Sequence, residues 1–124
     1  MPIESLSGRR ILVVEDDNLI ALVIVDALED FGCVVIGPTG ELGVAIQLAS
    51  DEPMDAAILD VTVRGGQVYP VAERLLTRGI PFVLASGFGE CALPEALRNS
   101  PRLTKPFLSV ELADALRSLF GSPD

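Results

Sequence analysis

The sequence predicts an α/β fold: a doubly wound, five-stranded parallel sheet. Three observations point to it. Short apolar runs alternate five times with segments of helical periodicity. The strand runs are apolar almost throughout, as expected where helices cover both faces of a sheet. Chain length and composition suit one domain with a real core, at 124 residues and 49% apolar.

The elements follow in order. Residues 1–8 are expected to form a disordered lead. The first strand is Ile11–Val14. A helix from Asn18 to Phe31 is closed by Gly32, a residue suited to a left-handed stop. Val34–Pro38 is a short second strand. Gly40–Ser50 carries apolar residues at Leu42, Val44, Ala45, Ile46, Leu48 and Ala49, a helical spacing. The third strand is Asp55–Leu59, and a helix from Val68 to Arg78 stops at Gly79. The fourth strand is Phe82–Ala85. The segment 87–100 opens with Gly87 and Gly89, and Pro94 limits it to a shortened fourth helix at 94–98. Pro101–Thr104 is the fifth strand. The last helix runs from Val110 to Phe120, with Ser109 as its N-cap and Glu111 placed to favour its dipole. Residues 121–124 form a tail.

Bulk numbers exclude some functions. The formal net charge is −9, with no histidine and no basic patch, which argues against nucleic-acid binding. No apolar run approaches the roughly 18 residues of a membrane span, and the N-terminus has no signal-peptide pattern. A cytoplasmic location is expected. Cys33 and Cys91 sit in apolar contexts and read as buried thiols.

The chemistry lies at the strand ends, where open parallel sheets bind ligands. Four of them carry acid, acid, hydroxyl and amine. The first strand runs into Glu15-Asp16-Asp17, and Asp17 is the expected helix cap. The third runs into Asp60, the fourth into Ser86, the fifth into Lys105. Each residue alone has an ordinary explanation: a helix-start acid, a turn acid, a loop serine, a surface lysine. Together, three converging carboxylates repel, by about 4 kcal/mol per pair at 4 Å and an effective dielectric near 20. A hard cation relieves this. Oxygen ligands suit Mg²⁺ better than Zn²⁺, and the Thr62 backbone carbonyl adds one more oxygen. A carboxylate so placed is suited to accept a phosphoryl group, with Lys105 and Ser86 to neutralise its oxygens.

Over residues 9–120 the chain resembles the response-regulator receiver domains of two-component signalling. The resemblance is carried by Val13-Val14-Glu15-Asp16-Asp17, Ile58-Leu59-Asp60, Ala85-Ser86-Gly87 and Lys105-Pro106-Phe107. More narrowly, Pro81–Gly89 is similar to the Pro-Phe-x-Phe-Ala-Thr-Gly-Tyr motif of a single-domain subgroup. The resemblance implies a flavodoxin-like strand order, 2-1-3-4-5. It implies that Asp60 takes a phosphoryl group from a histidine kinase or phosphotransfer protein. It also implies Mg²⁺ held by Glu15, Asp16, Asp60 and the Thr62 carbonyl, and phosphoryl contacts from Ser86 and Lys105. Such domains assist only their own phosphorylation and dephosphorylation, and signal by protein contact; a stand-alone regulator with an unnamed downstream target is expected.

Two positions depart from the family pattern. Arg64-Gly65-Gly66 stands where Met-Pro-Gly is usual. Arg102 replaces the strand-five aromatic, leaving Gly87 and Phe88 beside Arg102 as switch candidates. The first helix is apolar nearly all round, so some of Ile20, Val23, Ile24 and Ala27 must reach the surface. Ile20 and Val23 are the candidate docking residues, with a homodimer through the same patch as the alternative. Two other functions compete. A haloacid dehalogenase-type phosphatase usually has a second Asp two residues after its nucleophile, where this chain has Thr62. A phosphorylation-independent docking module would not require an intact site.

Overall fold

A computed structural model describes residues 6–86, 97 and 100–120. Strands β1 (Arg10–Val14), β2 (Val34–Thr39), β3 (Ala56–Asp60), β6 (Phe82–Ser86) and β7 (Arg102–Thr104) form one parallel sheet in the order β2-β1-β3-β6-β7. Counted within that sheet, this is 2-1-3-4-5. Helices α1 (Asn18–Asp30), α2 (Leu42–Asp51), α3 (Tyr69–Arg78) and α4 (Ser109–Leu119) cover both faces.

Strand alternation divides the core into two layers. Leu12, Val14, Ala57, Leu59 and Leu84 face α2 and α3, where they meet Ala45, Ala49, Val71, Ala72 and Leu75. Ile11, Val13, Ile58 and Val83 face α1 and α4, where they meet Ile24, Leu28, Leu112 and Leu116. Cys33 is buried in the second layer, its thiol pushed up to about 11 by burial, against the lowering effect of Arg9.

Several sequence expectations need adjusting. The lead is packed from Leu6 onward: Leu6 is fully buried and Gly8 N–H donates to the Gly32 carbonyl at 2.8 Å. A single leucine carries no periodic signal, so burial there depends on the neighbouring core. Helix α4 begins at Ser109 itself, with Leu108 as N-cap, because the Glu111 carboxylate reaches back to accept from Leu108 N–H at 2.7 Å. Helix α2 starts at Leu42 rather than Gly40. The Gly40 carbonyl and Leu42 N–H are bonded to Arg64 instead, at 3.0 and 2.9 Å. That pairing belongs to an unanticipated element after β3. Strands β4 (Thr62–Val63) and β5 (Gly66–Gln67) make a two-residue antiparallel ribbon, turned at Gly65 and Gly66 with φ of +101° and +139°.

Asp17 caps α1 as expected, its Oδ1 accepting from Leu19 N–H at 2.9 Å and Ile20 N–H at 3.1 Å. Gly79 ends α3 in the left-handed region, at φ +72°. The expected short fourth helix at 94–98, Gly87, Phe88 and Cys91 lie outside the described residues. Leu97 is described and is buried against the α2–α3 layer, which its neighbours in sequence did not suggest.

Candidate functional site

Register brings the strand-end residues together. Val14 is paired with Leu59, so Glu15 and Asp60 leave β1 and β3 side by side. Asp60 pairs with Ala85, and Ser86 with Thr104. Lys105 N–H then donates to the Ser86 carbonyl at 2.8 Å, which places the lysine at the same end of the sheet.

The Lys105 ammonium bridges two carboxylates, 2.8 Å from Glu15 Oε1 and 3.1 Å from Asp60 Oδ2. Glu15, Asp60 and Ser86 are buried, and Asp16 is half-buried. Glu15 is held in place as well, its Oε2 accepting from Asp17 N–H at 3.1 Å. The peptide bond between Lys105 and Pro106 is cis.

Burial pushes the Asp60 carboxyl up to about 7. The Glu15 hydrogen bond and charge add to the rise, and Lys105 opposes it. Burial alone would lower the Lys105 ammonium. The Glu15 hydrogen bond and the Asp60 charge outweigh it and hold the group above its ordinary value. The pocket therefore carries more negative charge than its one lysine balances. Each of Glu15, Asp16 and Asp60 offers one carboxylate oxygen, and the three oxygens lie within 4.8 Å of one another. Three hard donors at that spacing fit a small divalent cation better than they fit water.

The remaining candidates are placed as follows. Thr62 begins β4, two residues past Asp60. Arg102 is exposed on edge strand β7 and stands away from the carboxylates, paired with Leu84. On α1, Ile24 and Ala27 are core residues rather than surface ones. The exposed apolar side chains are Leu19, Leu22 and Val23, with Ile20 half-buried. Leu19, Ile20, Val23 and Ile24 form one wall of an open apolar cavity of about 390 Å³, and Lys105, Pro106 and Phe107 form the other. Sequence reasoning missed Arg64 at this end of the sheet. Its guanidinium Nη1 donates to the Asp16 carbonyl at 3.4 Å. The only signal was its unusual position after Asp60. Among the described residues no helix is long and apolar enough to cross a membrane.

No family model matches the chain. It is similar to the transcriptional regulatory protein PdtaR of Mycobacterium tuberculosis, 29% identical over 112 residues, which cover 87% of this chain and 55% of that protein. The chain thus spans about half the length of the curated relatives it matches. Among solved structures, SdrG from Sphingomonas melonis Fr1 is 40% identical with a TM-score of 0.81, covering 91% of this chain and 97% of that one. A response regulator receiver protein from Sinorhizobium medicae WSM419 is 25% identical with a TM-score of 0.79, covering 96% and 99%. The receiver domain of sensor histidine kinase PA1611 from Pseudomonas aeruginosa PAO1 shares the fold, at 23% identity and a TM-score of 0.75, covering 94% and 100%. That domain has a magnesium ion coordinated in its active site cleft.

Proposed function

The chain belongs to the response-regulator receiver family, and from that premise we propose that Asp60 is its phosphoacceptor, charged by a histidine kinase or a histidine phosphotransfer protein. The observation that carries this is the Lys105 ammonium shared between Glu15 and Asp60 at the mouth of a three-carboxylate cluster.

In the transfer, an Asp60 carboxylate oxygen forms a bond to phosphorus. The bond from phosphorus to the donor nitrogen breaks, and its electron pair leaves with the imidazole. Asp60 must be ionised to attack, yet burial and Glu15 hold its carboxyl near neutral pH. Glu15, Asp16, Asp60 and the Thr62 carbonyl would hold a magnesium ion, whose charge would favour ionised Asp60 and offset the transferring oxygens. Glu15, already engaged by Lys105, would act on such an ion through water. Once Asp60 carries the phosphoryl group as an acyl phosphate, Lys105 keeps its partner in Glu15 and turns its other hydrogens to a phosphoryl oxygen. The buried Ser86 hydroxyl donates to another. The phosphoryl group thereby gains fixed cationic and donor partners in a buried setting, where they act more strongly than in water.

The donor docks on α1. The apolar cavity between that helix and Pro106–Phe107 ends at Lys105, so a helical partner seated there presents its phosphohistidine beside Asp60. Output is a protein contact made by the phosphorylated form. Thr62 at the second position after Asp60 leaves the dehalogenase-type phosphatase without its usual acid.

Acetyl phosphate and Mg²⁺ provide the test. Intact mass should show one added phosphoryl group on the wild type and none on Asp60→Asn, with no added group when Mg²⁺ is chelated. Undiminished labelling of Asp60→Asn places the acceptor elsewhere. Rapid turnover of unrelated phosphate esters would favour a phosphatase.

A further inference from the structure

Three loops meet at one point beside the carboxylates. Asp16 lies between β1 and α1, Gly40 precedes α2, and Arg64 occupies the turn of the β4–β5 ribbon. The Arg64 main chain is tied to the second loop, its N–H donating to the Gly40 carbonyl at 3.0 Å and its carbonyl accepting from Leu42 N–H at 2.9 Å. Its side chain crosses to the first loop and meets the Asp16 carbonyl. A Cβ on Gly40 would stand 2.6 Å from Asp16 Cα and 3.0 Å from both Asp16 Cβ and Arg64 Nη2. The missing side chain at Gly40 is what leaves room for the guanidinium. Backbone bonds fix where the Arg64 side chain starts, and the Asp16 carbonyl contact keeps its charge at this mouth.

The phosphoryl chemistry proposed above uses Lys105 and does not use this second cation. Its effect is electrostatic and has opposite signs for the two charged species that enter. A divalent cation approaching the Asp16 side meets a fixed positive charge, which weakens its capture. An anionic phosphodonor meets three carboxylates and gains from every cation that offsets them. Arg64 is exposed, so the effect is screened and modest. We propose that Arg64 sets the charge of the site's mouth, holding cation affinity down and favouring anionic phosphodonors. The donor half of this inference rests on Asp60 as phosphoacceptor; the cation half does not.

The full chain with Arg64→Gln is compared with wild type at low ionic strength and about pH 8, where Asp60 is mostly ionised. Mg²⁺ affinity is read on unphosphorylated protein by NMR titration. The labelling rate with acetyl phosphate is read at saturating Mg²⁺. Arg64→Gln should bind Mg²⁺ about three- to tenfold more tightly and label more slowly by a similar factor. Both differences should shrink in about 0.5 M salt. Arg64→Lys should lie close to wild type in both. A structural brace alone would make both quantities fall together in Arg64→Gln, and that result overturns the proposal. So does Arg64→Lys behaving like Arg64→Gln, or no change in either quantity. If wild type itself fails to label, the phosphoacceptor assignment has failed, and the Mg²⁺ titration still decides the role of Arg64.

Discussion

At Asp60 the demands of folding and of the proposed phosphoacceptor role conflict. A carboxyl at the end of a buried strand, hydrogen-bonded to Glu15, holds a proton up to about pH 7, against 3.8 for an ordinary aspartate. The folded chain binds that proton more tightly than the unfolded chain does. Its contribution to stability is fully present below the unfolded value and is lost as pH rises through the folded one. Without divalent cation, Asp60→Asn should therefore outlast wild type at about pH 8, by at least about 1 kcal/mol or about 4 °C, with the gap closing toward about pH 4. Thermal melts in chelator across that window check this. A gap that is constant with pH would mean the variant acts through packing rather than through the Asp60 proton. Gly40 is the second residue where a single atom matters. Gly40→Ala puts a Cβ 2.6 Å from the Asp16 main chain. It should cost about 1–3 kcal/mol in urea unfolding and weaken Mg²⁺ binding as the Asp16 loop is displaced. An unchanged midpoint would show that the loops part without penalty.

Elements decide which apolar residues are core and which are available to a partner. Helix α1 buries Ala21, Ile24, Ala27 and Leu28 and leaves Leu19, Leu22 and Val23 in solvent, with Val23 57% exposed. The sequence showed that α1 has more apolar surface than one sheet face needs. It did not show which apolar residues turn inward, because the polar residues, Asn18, Asp26, Glu29 and Asp30, lie toward the ends of the helix and every position from Leu19 to Val25 is apolar. Val23→Glu should slow phosphotransfer from a cognate phosphohistidine protein at least about tenfold, while labelling by acetyl phosphate stays at the wild-type rate. A surface change of this kind leaves stability within about 0.5 kcal/mol. If both reactions fall together, α1 is not a docking element. The β4–β5 ribbon shows a different limit. Two-residue strands are too short for any periodic signal, yet this ribbon carries Arg64 to the mouth of the site.

For the whole molecule, a cation held by the acidic cluster would add to global stability. A cation that binds only the folded chain stabilises it by mass action, by about 1.4 kcal/mol at ten times its dissociation constant. For a domain of this size that is about 5 °C in Tm. Millimolar Mg²⁺ should produce such a rise in wild type and almost none in Asp16→Ala. Equal rises in both would move the cation away from Glu15, Asp16 and Asp60. The two packed layers explain why a change at the strand ends can matter elsewhere. Leu97, from the stretch after Ser86, is buried in the α2–α3 layer with Leu59 and Leu84. Leu97 and the strand carrying Ser86 therefore share a core.

The sequence alone determined the layered α/β architecture and put four candidate site residues at strand ends. Both are local patterns: apolar runs of strand length, helical spacing, and a chemically committed residue as each run ends. Asp60, Glu15, Asp16 and Lys105 were legible for that reason, and so was the Asp17 cap. Tertiary structure alone decided how these ends meet. Parallel register is what sets Glu15 beside Asp60 and returns Lys105 between them. It also decided the inward face of α1, the packing of Leu6 and Leu97, and the place of Arg64. Each of these depends on residues distant in the chain. No local pattern encodes a contact whose energy comes from a partner 24 residues away, as Arg64 N–H on the Gly40 carbonyl, or 48, as its guanidinium on Asp16.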